Sequence, residues 1–194
     1  MPRGSAKTLL RCGLRLMLYL ALSSAVSAYI ERVHRGLTEY LLLQAGFNQS
    51  DASAVARADN DVDTTRNPLA PTVTGLNNRT MYHFVTDMRL EMLRNEAARS
   101  CNVTALGEYL HALEDHYSHE GFGPVLGHFF NPSVDYPEND VDKALRMAQE
   151  KFRVASNLRT SCPGLFSSQP AAWAQIQGRV RNFLADPSQT RLTQ

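Results

Sequence analysis

Three donor residues of metal-binding type, His111, Asp115 and His119, stand four residues apart in one uninterrupted helical stretch, and this spacing constrains the chain most. Residues three and four apart are neighbours on one helix face. At 3.6 residues per turn the three cover an arc of about 80°. Leu106, Leu110 and Leu113 give the same helix an apolar face, Thr104 is a candidate cap, and Gly121-Phe-Gly-Pro124 ends it near Glu120. Burying such a row without a partner would strand polar groups at a cost on the order of a few kcal/mol each. The rise then limits how the row is used. His111 and His119 lie about 12 Å apart along the axis, whereas metal–ligand bonds are ~2.0–2.2 Å. One ion cannot take both histidines, but each adjacent pair is about 6 Å apart along the axis and can hold one. Asp115 belongs to both pairs and has two oxygens, so the spacing predicts two neighbouring ions sharing it.

The rest of the chain reads as helices and loops. Helical patterns cover about Glu31 to Ala45, with Gly46 as a stop, and about Ser50 to Asn60, with Ser50 as cap. Pro68, Pro71, Gly75 and Asn77 place a loop over Thr64 to Asn78. A helix is expected from Thr80 to Arg99, another from Val141 to Leu158, and a last from Gln169 to Leu184 with Trp173, Ile176, Val180 and Phe183 at helical spacing. Strand-like alternation is nearly absent. The expected fold class is all-α, a single-domain helical bundle over 29–194.

Residues 1–28 read as a signal peptide. Arg3, Lys7, Arg11 and Arg15 form a basic leader, Leu16 to Val26 is a short apolar run, and Val26-Ser27-Ala28 supplies a cleavage site. A secreted or periplasmic protein beginning at Tyr29 is therefore expected. Loss of the four basic residues moves the formal charge from +1 to −3, which leaves no basic field for stable nucleic-acid binding. Cys12 leaves with the leader, and the even remainder, Cys101 and Cys162, predicts one disulfide. Asn48, Asn78 and Asn102 begin glycosylation-type triplets.

Further donors lie outside the central helix. His83 and Asp87 repeat the H-x-x-x-D spacing, and Asp59, Asp61 and Asp63 alternate as acids. The alternation is not a calcium loop, because Thr64 stands where glycine is required and Ala70 where the twelfth-position glutamate belongs. His34 lies six residues into the expected mature chain. His116 points about 100° away from the row and is expected to be solvated, and His128 follows a loop.

The stretch Leu106-Gly-Glu-Tyr-Leu-His111-Ala-Leu-Glu-Asp115-His-Tyr-Ser-His119-Glu-Gly-Phe resembles the central helix of the zinc-dependent phospholipase C and single-strand nuclease superfamily, and especially its small bacterial members. The resemblance spans roughly residues 29–128 and implies an exported, all-helical protein with two or three zinc ions. It implies His111 and Asp115 as the H-x-x-x-D pair whose aspartate bridges two metals. Asp63 matches the upstream aspartate, with Asp59 as second choice, and His83 the histidine that follows it. His34 and the α-amine of Tyr29 match the amino-terminal ligands. This chain departs from the enzymes in two places: its later histidine, His119, comes slightly early, and the following H-x-x-x-E pair is missing, since His128 is followed by Asn131 and Pro132.

The expected function is that of a zinc-dependent phosphodiesterase, a phospholipase C-like hydrolase. The ions would polarise the phosphoryl oxygens and activate water for in-line attack. The metal ligands would be Tyr29, His34, Asp63, His83, His111, Asp115 and His119, with Asp63 and Asp115 closest to the chemistry and Asp87 and Glu114 orienting the ligands. A phospholipid headgroup is the expected substrate, with transient membrane-surface contact at most, and the protein is expected to be a monomer. The alternative is a non-catalytic secreted protein whose single metal holds its helices together, a reading that the missing H-x-x-x-E pair favours.

Overall fold

The computed structural model describes residues 29–64, 76–122 and 132–192. The expected leader, most of the Thr64–Asn78 loop and His128 lie outside these. Helix α1 begins as a π-helical segment, Arg32–Leu37, and continues without a break as Thr38–Gln44. Helix α2 is Gln49–Asp61. The short α3 runs from Leu76–Asn78 into a π-helical turn, Arg79–His83. Helices α4 (Asp87–Ser100), α5 (Val103–Ser118), α6 (Val141–Asn157) and α7 (Trp173–Ala185) complete the set. Among the described residues no strand forms, only an isolated antiparallel bridge between Phe47 and Phe166. The fold is all-α. No helix of the described residues is long and apolar enough to cross a membrane.

Helix α5 is the axis of the bundle. It buries Leu106, Leu110 and Leu113 as expected, but also Gly107, Tyr109, His111, Ala112, Glu114, Asp115 and Ser118, so it is enclosed on nearly every side. It packs chiefly against α2 and α4, with α3 and α6 completing the enclosure. Tyr109 is core, and Tyr117 packs against the core from its margin. Cys101 and Cys162 form the expected disulfide, which ties the end of α4 to the segment after α6. On the far side, Arg32 is buried and clamps α1 to the end of α7, donating to the Phe183 carbonyl at 2.7 Å and pairing with Glu138 at 2.6 Å.

The last helix begins at Trp173 rather than Gln169, and three further boundaries differ from the sequence reading, each for a local reason. Asn48, not Ser50, caps α2 by accepting from the Asp51 amide, and Asn102, not Thr104, caps α5 by accepting from the amides of Thr104 and Ala105. Asparagine in an extended backbone reaches two or three residues ahead. The helix expected over Thr80 to Arg99 is interrupted at Phe84–Thr86, because Thr86 turns extended and caps a new helix by accepting from the Arg89 amide. His83 and Asp87 are therefore not on one helix face.

Candidate metal centre

Helix α5 delivers His111 and Asp115 one turn apart to the interior, both with no exposure. The end of α2 delivers Asp59 and, just beyond it, Asp63. The π-helical turn of α3 delivers His83, and the π-helical start of α1 delivers His34. Both outer histidines thus sit on wide turns, a local geometry frequent at functional sites.

The atoms of one group converge. His83 Nδ1 lies 2.8 Å from Asp115 Oδ2 and 3.2 Å from His111 Nε2, and His111 Nε2 lies 3.5 Å from Asp115 Oδ2. Asp63 Oδ1 stands 3.7 Å from His83 Nδ1 and 3.6 Å from His111 Nε2. A tetrahedral ion with bonds of ~2.0–2.1 Å separates its ligand atoms by about 3.4 Å, close to these spacings. Two imidazole nitrogens and two carboxylate oxygens pointed at one place need a proton or a cation between them. In the metal-free protein a proton takes that part. Burial alone would lower the His111 pKa, but Asp115 and Asp63 overcome it and raise it to about 10. Burial likewise works against the charge on Asp115, yet His111 and His83 hold its carboxyl well below the usual range.

A second group adjoins the first. His34 Nε2 faces the other oxygen of Asp63, Oδ2, at 3.4 Å, and the His34 ring stacks on His111 with centroids 4.5 Å apart. His34, His111 and Asp115 also each bring a ligand atom within 4.8 Å of one another. Asp115 Oδ1 is buried without a hydrogen bond, as is His34 Nε2. Orphaned atoms of these types are a donor set suited to zinc. Asp63, expected as a ligand, therefore addresses both groups, a part expected of Asp115 alone. Asp59, the second choice, is not at the convergence. Its Oδ1 stands behind both rings, 3.1 Å from His34 Nδ1 and 3.5 Å from His111 Nδ1, where a carboxylate orients imidazoles.

Two expected residues fall outside the cluster's centre. His119 is buried, but its Nδ1 donates to the His83 carbonyl at 2.8 Å, and that same nitrogen is the one facing Asp115, 3.9 Å away. His119 thereby holds the backbone of the π-helical turn and stacks on Phe84, with its Nε2 also buried. Its ring borders a cleft of about 240 Å³ that His83, Phe84 and Phe122 also line. Asp87 sits at the start of α4 with its side chain almost wholly in solvent, 3.5 Å from His116 Nε2, and orients no ligand of the cluster. His116 is accordingly half-buried and partnered rather than simply solvated.

Tyr29 is buried, and burial followed by Glu114, Asp140, Asp115 and Asp135 pushes its phenol up, so it lies in the field of the same carboxylates. The expected cleavage after Ala28, which would free its α-amine, lies outside the described residues. Glu114 is fully buried and meets His34 Nδ1 at 2.5 Å, in the orienting place expected of it.

Three residues were not anticipated. Lys151 of α6 is fully buried beside Glu114, Asp59 and Thr38. The signal was present: Lys151 falls among Ala144, Met147, Ala148 and Ala155 on the apolar stripe of α6. Thr38 donates to Asp59 Oδ2 at 2.7 Å. Asp135, in the proline-rich loop before α6, is raised to about 8 by burial and then by Asp115 and Asp63, which places a further carboxyl near the cluster.

These features define an all-helical protein with a buried histidine–carboxylate cluster able to hold metal. No known family model, curated protein or solved structure matches the chain.

Proposed function

We propose that the protein is a zinc-dependent phosphodiesterase of the phospholipase C type, acting outside the cytoplasm on a phosphodiester headgroup. The observation that carries this reading is the convergence of Asp63, His83, His111 and Asp115, with His34 facing the second oxygen of Asp63. Four buried or nearly buried carboxylates, Asp59, Asp63, Glu114 and Asp115, face one buried lysine, and the balancing positive charge is left to the imidazoles His34 and His111, whose protons zinc would replace. Zinc bound there would supply Lewis acidity toward a phosphoryl oxygen. The chain's own residues would do the rest. Asp63 and Asp115 hold the centre from two sides, Asp59 and Glu114 orient the imidazoles, and the cleft beside His83 and Phe84 admits the headgroup. The disulfide agrees with an oxidising compartment.

The test is hydrolysis of bis(p-nitrophenyl) phosphate and of phosphatidylcholine vesicles by protein purified with zinc. Turnover lost on chelation, restored by zinc and abolished in Asp115→Asn supports the proposal; no turnover in a protein that retains zinc refutes it. That second outcome would favour a structural metal, a reading with its own motive: no H-x-x-x-E pair follows His119.

A further inference from the structure

The chain carries one more group with metal-site chemistry, His34, Asp59 and Glu114, all buried, with ligand atoms within 4.8 Å of one another. This group already holds a cation. The Lys151 ammonium contacts Glu114 Oε1 and Thr38 Oγ1 and lies 3.1 Å from Asp59 Oδ2. Those are the three hydrogen bonds an ammonium can donate. Lysine is almost never fully buried unless paired, and here both of its carboxylate partners also meet one nitrogen. Asp59 Oδ1 and Glu114 Oε2 lie 3.1 and 2.5 Å from His34 Nδ1. Each carboxylate therefore gives one oxygen to Lys151 and the other to the back of the His34 ring.

We infer that Lys151 is a positioning residue for the metal centre. Its ammonium fills the place of an ion between Asp59 and Glu114 and holds both carboxylates against His34 Nδ1, so that His34 presents Nε2 to Asp63. The inference rests on the metal-centre reading above and sharpens it: the His34, Asp59 and Glu114 group takes no zinc, and His34 ligates only through Nε2. An imidazole whose other nitrogen donates to a carboxylate is fixed in tautomer and ring angle, and loss of such a partner commonly costs 10–100-fold in metal affinity. Lys151 reaches His34 through both of its carboxylate partners, whereas His111 shares one of them, Asp59, at the longer 3.5 Å, so the effect of Lys151 falls chiefly on the ion that needs His34.

The experiment titrates the full, chelated protein with zinc against a chelating chromophore, counting ions by elemental analysis. His34→Ala identifies the ion that depends on His34. Lys151→Met is expected to weaken that ion about 10–100-fold and to weaken the ion at Asp63, His83, His111 and Asp115 clearly less, since His111 shares only Asp59 with Lys151. The double variant H34A/K151M should bind no more weakly than H34A, because a residue acting through His34 has nothing left to act on. Thr38→Val removes the hydroxyl between Lys151 and Asp59 without changing charge, and should weaken the same ion several-fold even if K151M does not fold. Equal weakening of both ions, or additive losses in the double variant, would make Lys151 a merely structural residue and overturn the inference. Wild-type affinity in both K151M and T38V would also overturn it. A wild-type protein that binds no zinc would instead end the metal-centre reading, and this inference with it.

Discussion

Gly107 lies directly against the backbone of Asp59: a Cβ built on Gly107 would come within 2.7 Å of the Asp59 amide nitrogen, 2.5 Å of the Ala58 Cβ and 2.8 Å of the Val55 carbonyl. The absent side chain lets α5 and α2 approach closely enough for Asp59 and Asp63 to reach the row on α5. Gly107→Ala must push the helices apart, since two of the three obstacles are backbone. It is expected to destabilise by about 1–3 kcal/mol and to weaken zinc binding as well. Chemical denaturation and zinc titration of the same variant check both; unchanged values in both would contradict the packing account.

His119→Ala separates the row read from sequence from the cluster in the structure. Because no His119 atom is among those that converge at Asp63, His83, His111 and Asp115, and its Nδ1 holds the His83 carbonyl, the variant should keep the ion at those four with reduced thermal stability. His83→Ala and His111→Ala should each remove an ion. Elemental analysis after dialysis distinguishes the cases.

The metal-free protein should lose stability as pH rises. His111 has a folded pKa of about 10 against an ordinary 6.5, so its contribution is complete below pH 6.5 and disappears as pH climbs toward 10. Asp135, raised from 3.8 to about 8, has the same sign, since the folded state keeps a proton that the unfolded chain has released. Asp115 works in the opposite direction: its lowered pKa contributes above pH 3.8 and is lost on acidification. Melting temperatures of chelated protein are therefore expected to peak near pH 5 and fall toward pH 9. Zinc displaces these protons, so the stabilisation by zinc should grow from pH 6 to 8. A flat profile without metal would contradict the placement of these groups.

Cys101 and Cys162 are 61 residues apart, and closing a loop of that length is worth about 4 kcal/mol in the chain-entropy account. Cys101→Ser with Cys162→Ser should lower stability by about 2–5 kcal/mol while leaving zinc stoichiometry unchanged in the fraction that stays folded. Denaturant midpoints and zinc content check the two halves.

The helical class was legible from periodicity, the disulfide from parity and the His111–Asp115 pair from spacing, whereas His34, Asp63 and His83 were named through the resemblance and the structure brings them beside that pair. Three things were not. A break such as that at Phe84–Thr86 depends on one threonine choosing an extended backbone, and the surrounding apolar pattern reads as continuous helix. The π-helical turns that aim His34 and His83 leave no periodic mark over five or six residues. Lys151 was visible as a charge on an apolar stripe, but its partners Glu114 and Asp59 come from two other helices, and sequence spacing does not relate them. For His119 the helical row was legible, and the contact of its Nδ1 with the His83 carbonyl was not, because it joins two elements that spacing does not relate.

The most direct measurement is anomalous scattering at the zinc edge from crystals of the wild-type protein grown with zinc. The account predicts a peak bonded to Asp63, His83, His111 and Asp115, with any second peak beside His34 Nε2. A map with no peak among those four side chains, or with zinc held by His119 and Asp115 instead, would contradict it.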